Sequence, residues 1–453
     1  MAGGRLPIPV RLPGTYFTIT SEIRPLPLIA PRGTVMAMIP LNWFNVNEAV
    51  EINATEFRST EALAIVGKTA FDFAINRQIT CLLNGARNAV IFPQNIGGVK
   101  AEAIQGDITW VAKKAGELGN DITVSVIKQN DRYTINTFVR GVPMHTAIVT
   151  DIANLDKAIE DNLFVEADFD PDTATFTLGE VMLEGGENGT IPSYESKIET
   201  YLQAASLENW DCIAFSMEPD EPNFLTARAA FRDWLIQYNS DMQRMKQGVV
   251  IGDGMDSELI IAIHQTGTLN GVELSLSDMV LLRAGHSAAA PANGSETNKI
   301  MVGLTDVKPL LNIRAQKDAL ERGLFTYIKN WDGRYKVLDD INSFVSIIPR
   351  KDILWIENRT IRALDTMMEI YARIFNTQFM GYEDNTPTGR TNLRIALDAA
   401  SRELETSRVI YDHSIDKLIV EAGAGPKDVI ARYTSMRVPG SMSRLDFFIS
   451  ISW

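Results

Sequence analysis

The sequence predicts a multidomain protein of the α/β and α+β classes, with a βαβ core built on a mixed sheet. Its length of 453 residues is enough for about three domains of roughly 150 residues each. Between residues 212 and 252, a buried strand, a long helix and a second buried strand follow one another. This order is typical of a right-handed crossover between parallel strands. Alternating polar and apolar residues between 106 and 185 add a separate β-rich part.

The composition is that of a globular chain and excludes several classes of protein. Hydrophobic residues make up 45% and charged residues 22%, which excludes a mainly disordered chain, a collagen and a coiled-coil rod. Lys plus Arg number 43 against 57 Asp plus Glu, so the net charge is −14. Because duplex affinity depends on Lys and Arg neutralising phosphates, we expect no direct nucleic-acid partner.

The cysteines and the apolar runs indicate the cellular compartment in which the protein folds. Cys81 and Cys212 lie in apolar surroundings and are too few for a disulfide scaffold, so they are predicted to be buried free thiols. A helix that spans a membrane needs about 20 consecutive apolar residues, and no apolar run in this sequence is that long. Pro7, Pro9 and Pro13 interrupt any N-terminal signal helix. We therefore expect folding in a reducing cytoplasm, without membrane insertion.

Residues 1–31 predict an extended N-terminal arm. They hold six of the 19 prolines, each of which fixes φ and removes a backbone donor. The residues between the prolines are mainly apolar, whereas a disordered tail would be polar. The arm therefore needs a surface, which is either its own domain or another subunit. The candidates for inter-subunit contact in this arm are Tyr16, Phe17 and Ile19.

The next part, residues 32–98, is predicted to be the first portion of the core. Residues 34–52 read as strands, residues 71–83 have helical spacing, and residues 88–92 form a buried strand. A glycine-containing linker at 96–99 then leads into a different pattern.

Residues 99–188 are predicted to form an inserted, small β-rich domain with a hairpin at its centre. Ile122, Val124 and Val126 alternate with polar residues, a polar turn follows at 129–132, and the alternation resumes. The other elements expected in this domain are strands at 164–165 and 175–178, a helix at 151–161 and a glycine-rich exit at 184–189.

The second half divides into a central α/β domain, residues 189–343, and a helical and β C-terminal domain, residues 344–453. The central domain is expected to contain a helix at 194–205, a strand at 212–216, a helix at 225–245 and a strand at 248–252. The C-terminal domain is expected to contain helices at 352–379 and 390–410, a turn at 383–389, and strands at 417–421, 428–438 and 444–453.

The last predicted strand has one wholly apolar face. It either pairs within its own sheet or offers an open edge to another chain. The candidates for inter-subunit contact in this strand are Leu445, Phe447, Ile449 and Ile451.

The search for a catalytic, metal or cofactor site predicts none. The four histidines show no zinc-ligand spacing. The glycine-rich 184–189 is not followed by Gly-Lys-Ser/Thr, and Gly252-Asp253-Gly254 lacks the third glycine of a dinucleotide loop. The Asp168-x-Asp170-x-Asp172 run lacks the glycine and glutamate of a calcium loop. No Gly-x-Ser-x-Gly nucleophile elbow occurs.

Several short segments, in order, resemble the tail sheath proteins of contractile bacteriophage tails and phage-tail-like particles, in the subgroup common in phages of Gram-positive bacteria. The resemblance runs from about residue 12 to the end, and its order and spacing are more specific than any one motif. The segments are Leu12-Pro13-Gly14-Thr15-Tyr16, Pro31-Arg32-Gly33-Thr34-Val35, Gly119-Asn120-Asp121-Ile122-Thr123-Val124, Leu183 to Gly189, Asp339-Asp340-Ile341-Asn342-Ser343-Phe344 and Glu357 to Asp365.

The resemblance implies a structural and mechanical role without a cofactor. Sheath subunits form stacked hexameric rings around an inner tail tube, between baseplate and tail terminator proteins, and contract to drive the tube through a bacterial envelope. Terminal arms add strands to neighbouring subunits. The C-terminal region lies against the tube and the inserted domain lies outward. The expected location is the virion tail, assembled in the cytoplasm of the host bacterium.

The charged side of the helix at 352–379 has two possible roles. Charge runs are usually solvated helix faces. Within the resemblance, part of this face meets the tube, and the tube-facing candidates are Arg359, Arg362 and Arg373.

Two other classes of protein stay open from the sequence. One is a cytoplasmic, hydrolase-like α/β enzyme that uses the 211–253 crossover. The other is a tail tube protein, although tube proteins are usually shorter and lack a helical C-terminal half.

Overall fold

A seven-stranded mixed sheet forms the centre of the protein in a computed structural model that describes residues 32–70, 73–349 and 351–441. The predicted arm, 1–31, and the predicted terminal strand, 444–453, lie outside the described residues. In the described part, the strands are, in chain order, β1 (Thr34–Ile39), β2 (Val50–Asn53), β3 (Asn88–Pro93), β4 (Glu102–Gln105), β5 (Ile108–Ala112), β6 (Ile122–Gln129), β7 (Arg132–Val139), β8 (Val142–Val149), β9 (Val165–Asp168), β10 (Gly179–Met182), β11 (Cys212–Ala214), β12 (Gln247–Ile251), β13 (Ile260–Ile263), β14 (Thr266–Leu269), β15 (Val272–Leu274), β16 (Leu304–Lys308), β17 (Leu324–Phe325), β18 (Tyr327–Lys329), β19 (Tyr335–Val337), β20 (Leu418–Ala422) and β21 (Val429–Tyr433).

Helices connect many of these strands. The α-helices of the described residues are α1 (Ala62–Val66), α2 (Phe73–Gly85), α3 (Leu155–Ala158), α4 (Tyr194–Leu207), α5 (Phe224–Met242), α6 (Leu276–Ala289), α7 (Ile313–Glu321), α8 (Asn358–Ile374) and α9 (Pro387–Thr406). Of these, α2, α5 and α6 contact strands of the central sheet.

The central sheet has the strand order β17-β13-β12-β11-β1-β3-β2. All neighbouring strands are parallel except β2, which pairs antiparallel with β3. The predicted crossover is confirmed, because β11 and β12 pair in parallel and α5 lies between them in the chain. Every residue of β12 and of β13 is buried, as expected for strands that are covered on both faces.

Helices α2 and α6 pack on this sheet with unusually close backbones. A Cβ atom at Gly285 would lie 2.0 Å from the carbonyl oxygen of Leu82. A Cβ atom at Gly85 would lie 2.6 Å from the backbone nitrogen of His286. Glycine is therefore required on both helices for this approach.

Residues 102–182 form two small sheets with a core of their own. One has the order β10-β6-β7-β8 and the other β4-β5-β9. The predicted hairpin is present: β6 and β7 pair antiparallel down to Gln129 and Arg132. The chain enters and leaves side by side, because Ile96 and Thr190 exchange backbone hydrogen bonds of 3.0 Å. Trp43, which precedes this part, also contributes to its core.

Two predicted elements in this part are wrong. Residues 175–178 are not a strand; both the backbone N–H and the hydroxyl of Thr175 donate to the Asp107 carboxylate, at 3.0 and 2.9 Å, and the strand begins only at Gly179. The helix expected at 151–161 is a 3₁₀ turn followed by the single-turn α3. It ends early because the buried Asn162 side chain accepts from the Phe164 N–H, at 2.9 Å, which turns the chain into β9.

The C-terminal part packs α8 against α9 and adds the hairpin β20–β21. The helix predicted at 352–379 consists of three segments: a 3₁₀ turn (Ile353–Ile356), α8 and a π-helical turn (Phe375–Phe379). The strand predicted at 428–438 is shorter, since β21 ends at Tyr433.

Candidate functional site

The charged residues of α8 share one side of the helix but differ in burial. Arg359 and Arg373 are half-buried near its two ends. Arg362 and Asp365 are each only 1% exposed and face the central domain. The helix is therefore attached to the central domain through part of the charged side, for which the sequence predicted either solvent or the tube.

Arg362 is one of the predicted tube-facing residues, but the structure places its side chain in the interior, where it is not accessible to a tube. Its Nη2 atom donates to Asp340 Oδ2 at 2.7 Å and to the carbonyl oxygen of Gly294 at 2.8 Å. A buried carboxylate attracts the guanidinium into the protein, because neither charge is stable there without the other. We therefore remove Arg362 from the candidates for tube contact.

Arg362 belongs to the Asp340 cluster, a buried set of polar groups that joins the central domain to α8. Asn358 Nδ2 donates to Asp340 Oδ1 at 2.9 Å, and the backbone N–H of Glu296 donates to Asp340 Oδ2 at 3.0 Å. The members of the Asp340 cluster are Arg283, Glu296, Asp340, Asn358 and Arg362, of which none is more than 2% exposed.

Arg283 is the second cation of the Asp340 cluster and has no solvent exposure. Its Nη2 atom lies 2.5 Å from Glu296 Oε2 and 3.6 Å from Asp340 Oδ1. Its guanidinium also lies over the Phe325 ring, 4.1 Å from the centroid. An arginine so deeply buried needs these carboxylates and the aromatic face in place of water.

The charges in the Asp340 cluster change the pKa values of its carboxylates. Burial alone would raise the pKa of Asp340, but Arg362 and Arg283 outweigh it and lower that pKa to about 2. Burial likewise opposes ionisation of Glu296, and Arg283 lowers its pKa. Both carboxylates are therefore ionised at neutral pH, which matches the two guanidinium groups they face.

A second group, the Asp365 cluster, joins α8 to the segment after α5 and to the start of β1. The Arg244 guanidinium donates two hydrogen bonds, of 2.8 and 2.9 Å, to the Asp365 carboxylate and a third, of 2.8 Å, to Glu369. Arg32 Nη1 lies 3.4 Å from the same Asp365 carboxylate. The members of the Asp365 cluster are Arg32, Asp211, Arg244, Asp365 and Glu369.

The Asp365 cluster also fixes the backbone at the start of β1. Asp211 Oδ2 accepts hydrogen bonds from the backbone N–H groups of Gly33 and Thr34, at 2.7 and 3.0 Å. Burial opposes ionisation of Asp365, but Arg244 and then Arg32 lower its pKa. The residues that directly follow 1–31 are thus tied to α8 and to β11.

The hairpin β20–β21 is attached to the two C-terminal helices by a chain of hydroxyl groups. The Ser401 hydroxyl on α9 contacts the Tyr371 hydroxyl on α8, at 2.7 Å, and the Tyr433 hydroxyl on β21. The rings of Tyr371 and Tyr433 are stacked with centroids 6.4 Å apart. Among the described residues, β20 and β21 pair only with each other, so their outer edges carry no further strand there.

The chemistry-bearing residues of the described ranges do not gather into a metal site. No group of three or more His, Cys, Asp or Glu side chains in this part of the chain could hold a metal ion. Cys81 and Cys212 are free and buried, as predicted, and burial raises the pKa of both thiols. Within residues 32–70, 73–349 and 351–441, no helix has the length and apolarity that would be needed to cross a membrane.

The residue candidates from the sequence thus divide into three groups. Arg359 and Arg373 lie at the two ends of α8, and Arg362 is internal. The seven arm candidates fall outside the described residues: Tyr16, Phe17, Ile19, Leu445, Phe447, Ile449 and Ile451.

Sequence reasoning missed the two clusters, although a signal for one of them was present. The segments Asp339 to Phe344 and Glu357 to Asp365 stand out in the sequence only as motifs, and the fold brings them together through Asp340, Asn358 and Arg362. Arg283 and Glu296 gave no such signal, because nothing in their local sequence indicates burial.

Comparison with known proteins identifies the class. The model of the phage tail sheath protein central domain matches residues 194–343, and that of the phage tail sheath C-terminal domain matches residues 350–452. Together they match more than half of the chain. The chain belongs to the phage tail sheath protein family.

Solved structures and a curated relative agree with this assignment. A sheath tail protein from Listeria innocua has a TM-score of 0.80 and 22% identity, over 91% of this chain and 93% of that one. A sheath tail protein from Desulfitobacterium hafniense has a TM-score of 0.70 and 24% identity, over 94% and 100%. The phage-like element PBSX protein XkdK of Bacillus subtilis strain 168 is 25% identical over 78% of this chain and 77% of that protein.

The fold also resembles a subunit of an assembled, contracted particle. The helical sheath of the anti-feeding prophage in its contracted state has a TM-score of 0.51 and 11% identity, over 98% of this chain and 99% of that one. The mixed α/β multidomain class predicted from the sequence is confirmed by these structures. They give no support to the alternative of a hydrolase-like enzyme.

Proposed function

We propose that this chain is the structural sheath subunit of a contractile tail. It polymerises as stacked hexameric rings around an inner tail tube and contracts to drive the tube through a bacterial envelope. Baseplate and tail terminator proteins are its other partners, it touches no nucleic acid and no membrane, and its role is mechanical rather than catalytic. The particle is assembled in the host cytoplasm, and the subunit resides in the virion tail. The observation that carries the proposal is the sheath fold over more than nine-tenths of the chain.

The internal ion pairs support a mechanical role. The Asp340 and Asp365 clusters join α8 to the rest of the core at two places, through groups that are costly to separate once buried. Central and C-terminal parts should then move as one body. The rearrangement between extended and contracted forms would be concentrated in the links between subunits.

Those links are proposed to be the terminal arms. An added strand gains several backbone hydrogen bonds of about 1 kcal/mol net each, but ordering a free arm costs about 1–2 kcal/mol per residue. One link is therefore weak, and repetition along a lattice makes the set strong. Among the described residues the outer edges of β20–β21 carry no further strand, which supports proposing them as acceptor sites for an arm.

Arm truncation tests this part of the proposal. Deleting residues 2–29 should give a folded, soluble protein that no longer polymerises. Deleting residues 444–453 should have the same effect, or should destabilise the C-terminal domain if that segment pairs within its own chain. Regular polymers of normal length from the 2–29 deletion would eliminate the N-terminal arm as the link.

The tube contact is proposed to involve the two ends of α8. Arg359 and Arg373 are 14 positions apart, which corresponds to about 21 Å along a helix. Reversing both charges, Arg359→Glu with Arg373→Glu, should abolish assembly on a tube while the melting temperature stays within a few degrees. Arg314→Glu, at an exposed position on α7, is the matched control. Normal tails from the double variant would rule out this contact.

The function itself is tested by sedimentation velocity and negative-stain microscopy of the concentrated protein. A sheath subunit should form fast-sedimenting species that appear as tubes or ring stacks. Dispersed particles of one small size at every concentration and salt condition would instead favour an enzyme-like protein.

A further inference from the structure

Exposed apolar side chains are concentrated in the loop that leads from the central domain to α8. Scattered exposed apolar residues need no explanation, but a group of them on one short loop is typical of a contact surface. We call this group the Ile347 patch, and its members are between 42% and 67% exposed: Val345, Ile347, Ile348 and Ile353.

The loop that carries the Ile347 patch is held in shape by polar contacts. The backbone N–H groups of Val345 and Ser346 donate to Asp256 Oδ1, at 2.8 and 3.0 Å. Ile348 and Lys351 exchange backbone hydrogen bonds of 3.2 and 2.9 Å. Because these contacts use the backbone and a carboxylate, the apolar side chains are presented by an ordered loop, and covering them would cost little conformational entropy.

Residues 440 and 441 are fixed beside the Ile347 patch. The backbone N–H and the hydroxyl of Ser441 both donate to Glu357 Oε2, each at 3.0 Å. A Cβ atom at Gly440 would lie 3.0 Å from Leu354 Cδ2, and Leu354 directly follows Ile353 in the chain. The segment after Ser441 therefore starts next to one edge of the patch.

The sequence after Ser441 has the pattern that such a patch requires. Its first apolar residue of the alternating run, Leu445, is four positions further on, within a reach of about 14 Å. An extended segment would carry four apolar side chains on one face, because they occur at every second position. These side chains are Leu445, Phe447, Ile449 and Ile451.

Other occupants of the patch are less well placed. The N-terminal segment joins β1 through Arg32, which is paired with Asp365. That carboxylate is eight positions, or about 12 Å, further along α8 than Glu357. A second copy of the chain would compete with a segment that a short link holds at high local concentration beside its own patch.

We propose that residues 445–451 of the same chain cover the Ile347 patch in the subunit before it assembles. The contact removes two apolar surfaces from water and keeps the terminal segment from pairing with other chains. The docking itself does not depend on the sheath function. Only its release on assembly, which frees the segment for a neighbouring subunit, rests on the proposed function.

Cross-linking within one chain tests the contact directly. Both native cysteines are buried, so thiols introduced at the surface will react selectively. The full-length chain carrying Ser346→Cys and Ser450→Cys keeps every apolar residue of the contact, and it is treated with a short bismaleimide. The control chain carries Leu207→Cys, at a position that is 88% exposed elsewhere, with Ser450→Cys.

The proposal predicts roughly fivefold more cross-link within the monomer for the Ser346→Cys and Ser450→Cys chain than for the control. Adding Ile347→Asp should lower the yield to the control level, whereas Val302→Asp, at a position that is 80% exposed elsewhere, should leave it unchanged. Equal yields from the two chains would overturn the proposal. A cross-link that forms only between chains, when the single-cysteine variants are mixed, would assign the patch to a second copy instead.

Trypsin cleavage after Arg444 gives a second measurement on the full-length protein. Ile347→Asp should speed this cleavage roughly tenfold by releasing the segment, while Val302→Asp should not. The melting temperature should change little in either variant, because both substituted positions are exposed. Equal cleavage rates in the wild type and in Ile347→Asp would contradict the docking.

Polymerisation assays separate this proposal from the proposed function. If the wild type polymerises but the cross-link within the chain does not form, the docking is wrong and the sheath function stands. If the cross-link forms and depends on Ile347 but the wild type never polymerises, the docking stands and the sheath function fails.

Discussion

At the scale of single residues, the Asp340 carboxylate is the group on which contacts between the central and C-terminal parts converge. It receives hydrogen bonds from Arg362 and Asn358 and faces Arg283. Buried ion pairs add little net stability compared with apolar groups of the same shape. Removing one member, however, leaves a charge that neither water nor protein compensates. The cluster therefore fixes one arrangement of α8 more than it raises overall stability.

The first prediction concerns Arg362. Replacement by Met should lower the free energy of unfolding by about 3–5 kcal/mol, because Asp340 would lose its direct partner in the interior. Arg314→Met, at an exposed site, should change it by less than about 0.5 kcal/mol. Chemical denaturation of both variants at neutral pH gives the comparison. A similar small effect from both substitutions would contradict the assigned role of Arg362.

The second prediction concerns pH and His286. Burial lowers the pKa of His286 to about 4, although Glu296 partly opposes this, and the Nε2 atom contacts Asn84 Oδ1 at 3.0 Å. Because the unfolded imidazole, with a pKa near 6.5, takes up a proton before the folded one does, stability is complete above about pH 6.5 and is lost towards pH 4. Between pH 7.5 and 5 the loss from this residue should be about 2 kcal/mol.

His286→Gln provides the comparison. Denaturation of the wild type and the variant at pH 7.5 and 5 should show a smaller pH-dependent loss in the variant. Identical losses would mean that His286 is not held neutral in the interior. Asp340 does not interfere, because its own contribution is lost only as the pH falls below about 4.

At the scale of elements, the third prediction concerns the contact between α2 and α6. In an ordinary helix, Gly→Ala stabilises by about 1 kcal/mol. Gly285→Ala should instead destabilise by about 1–3 kcal/mol or more, since the new methyl group would meet the Leu82 carbonyl at 2.0 Å. The sign of the change in melting temperature of this variant, measured by thermal unfolding, distinguishes the two outcomes. A higher melting temperature would show that the helices can separate without cost.

The elements that were predictable from the sequence are those whose polar and apolar pattern within a few residues determines their structure. The hairpin β6–β7 and the buried strands β11 and β12 follow directly from alternation and from apolar runs. The errors arose where one side chain redirected the backbone, as Asp107 does at Thr175 and Asn162 does after α3.

The candidate site was predictable only in part. Periodicity identified α8 as a charged helix, but it could not show that Arg362 faces a buried carboxylate supplied by a loop 22 residues earlier. Likewise, the exposure of Trp331 depends on the hairpin that presents it. Such features depend on tertiary placement rather than on local pattern.

At the scale of the whole molecule, the fourth prediction concerns the inserted domain, proposed to span 99–188. Because Ile96 and Thr190 are hydrogen-bonded neighbours, a short Gly/Ser link from Ile96 to Asn188 can close the gap. The deletion variant should stay soluble and keep the central sheet, with some loss of stability because Trp43 loses its contact with Phe164. Circular dichroism and thermal unfolding measure this. Recovery of only insoluble protein would show that the boundary is wrong.

The central claim is that the chain is a sheath subunit with its C-terminal domain inward and its inserted domain outward. The most direct test is a cryo-EM reconstruction of the polymer formed by the full-length protein. We predict a hollow helical tube with α8 at the inner radius and the sheets of residues 102–182 at the outer radius. A tube with this radial order reversed, or a protein that forms no helical polymer under any condition, would contradict the account.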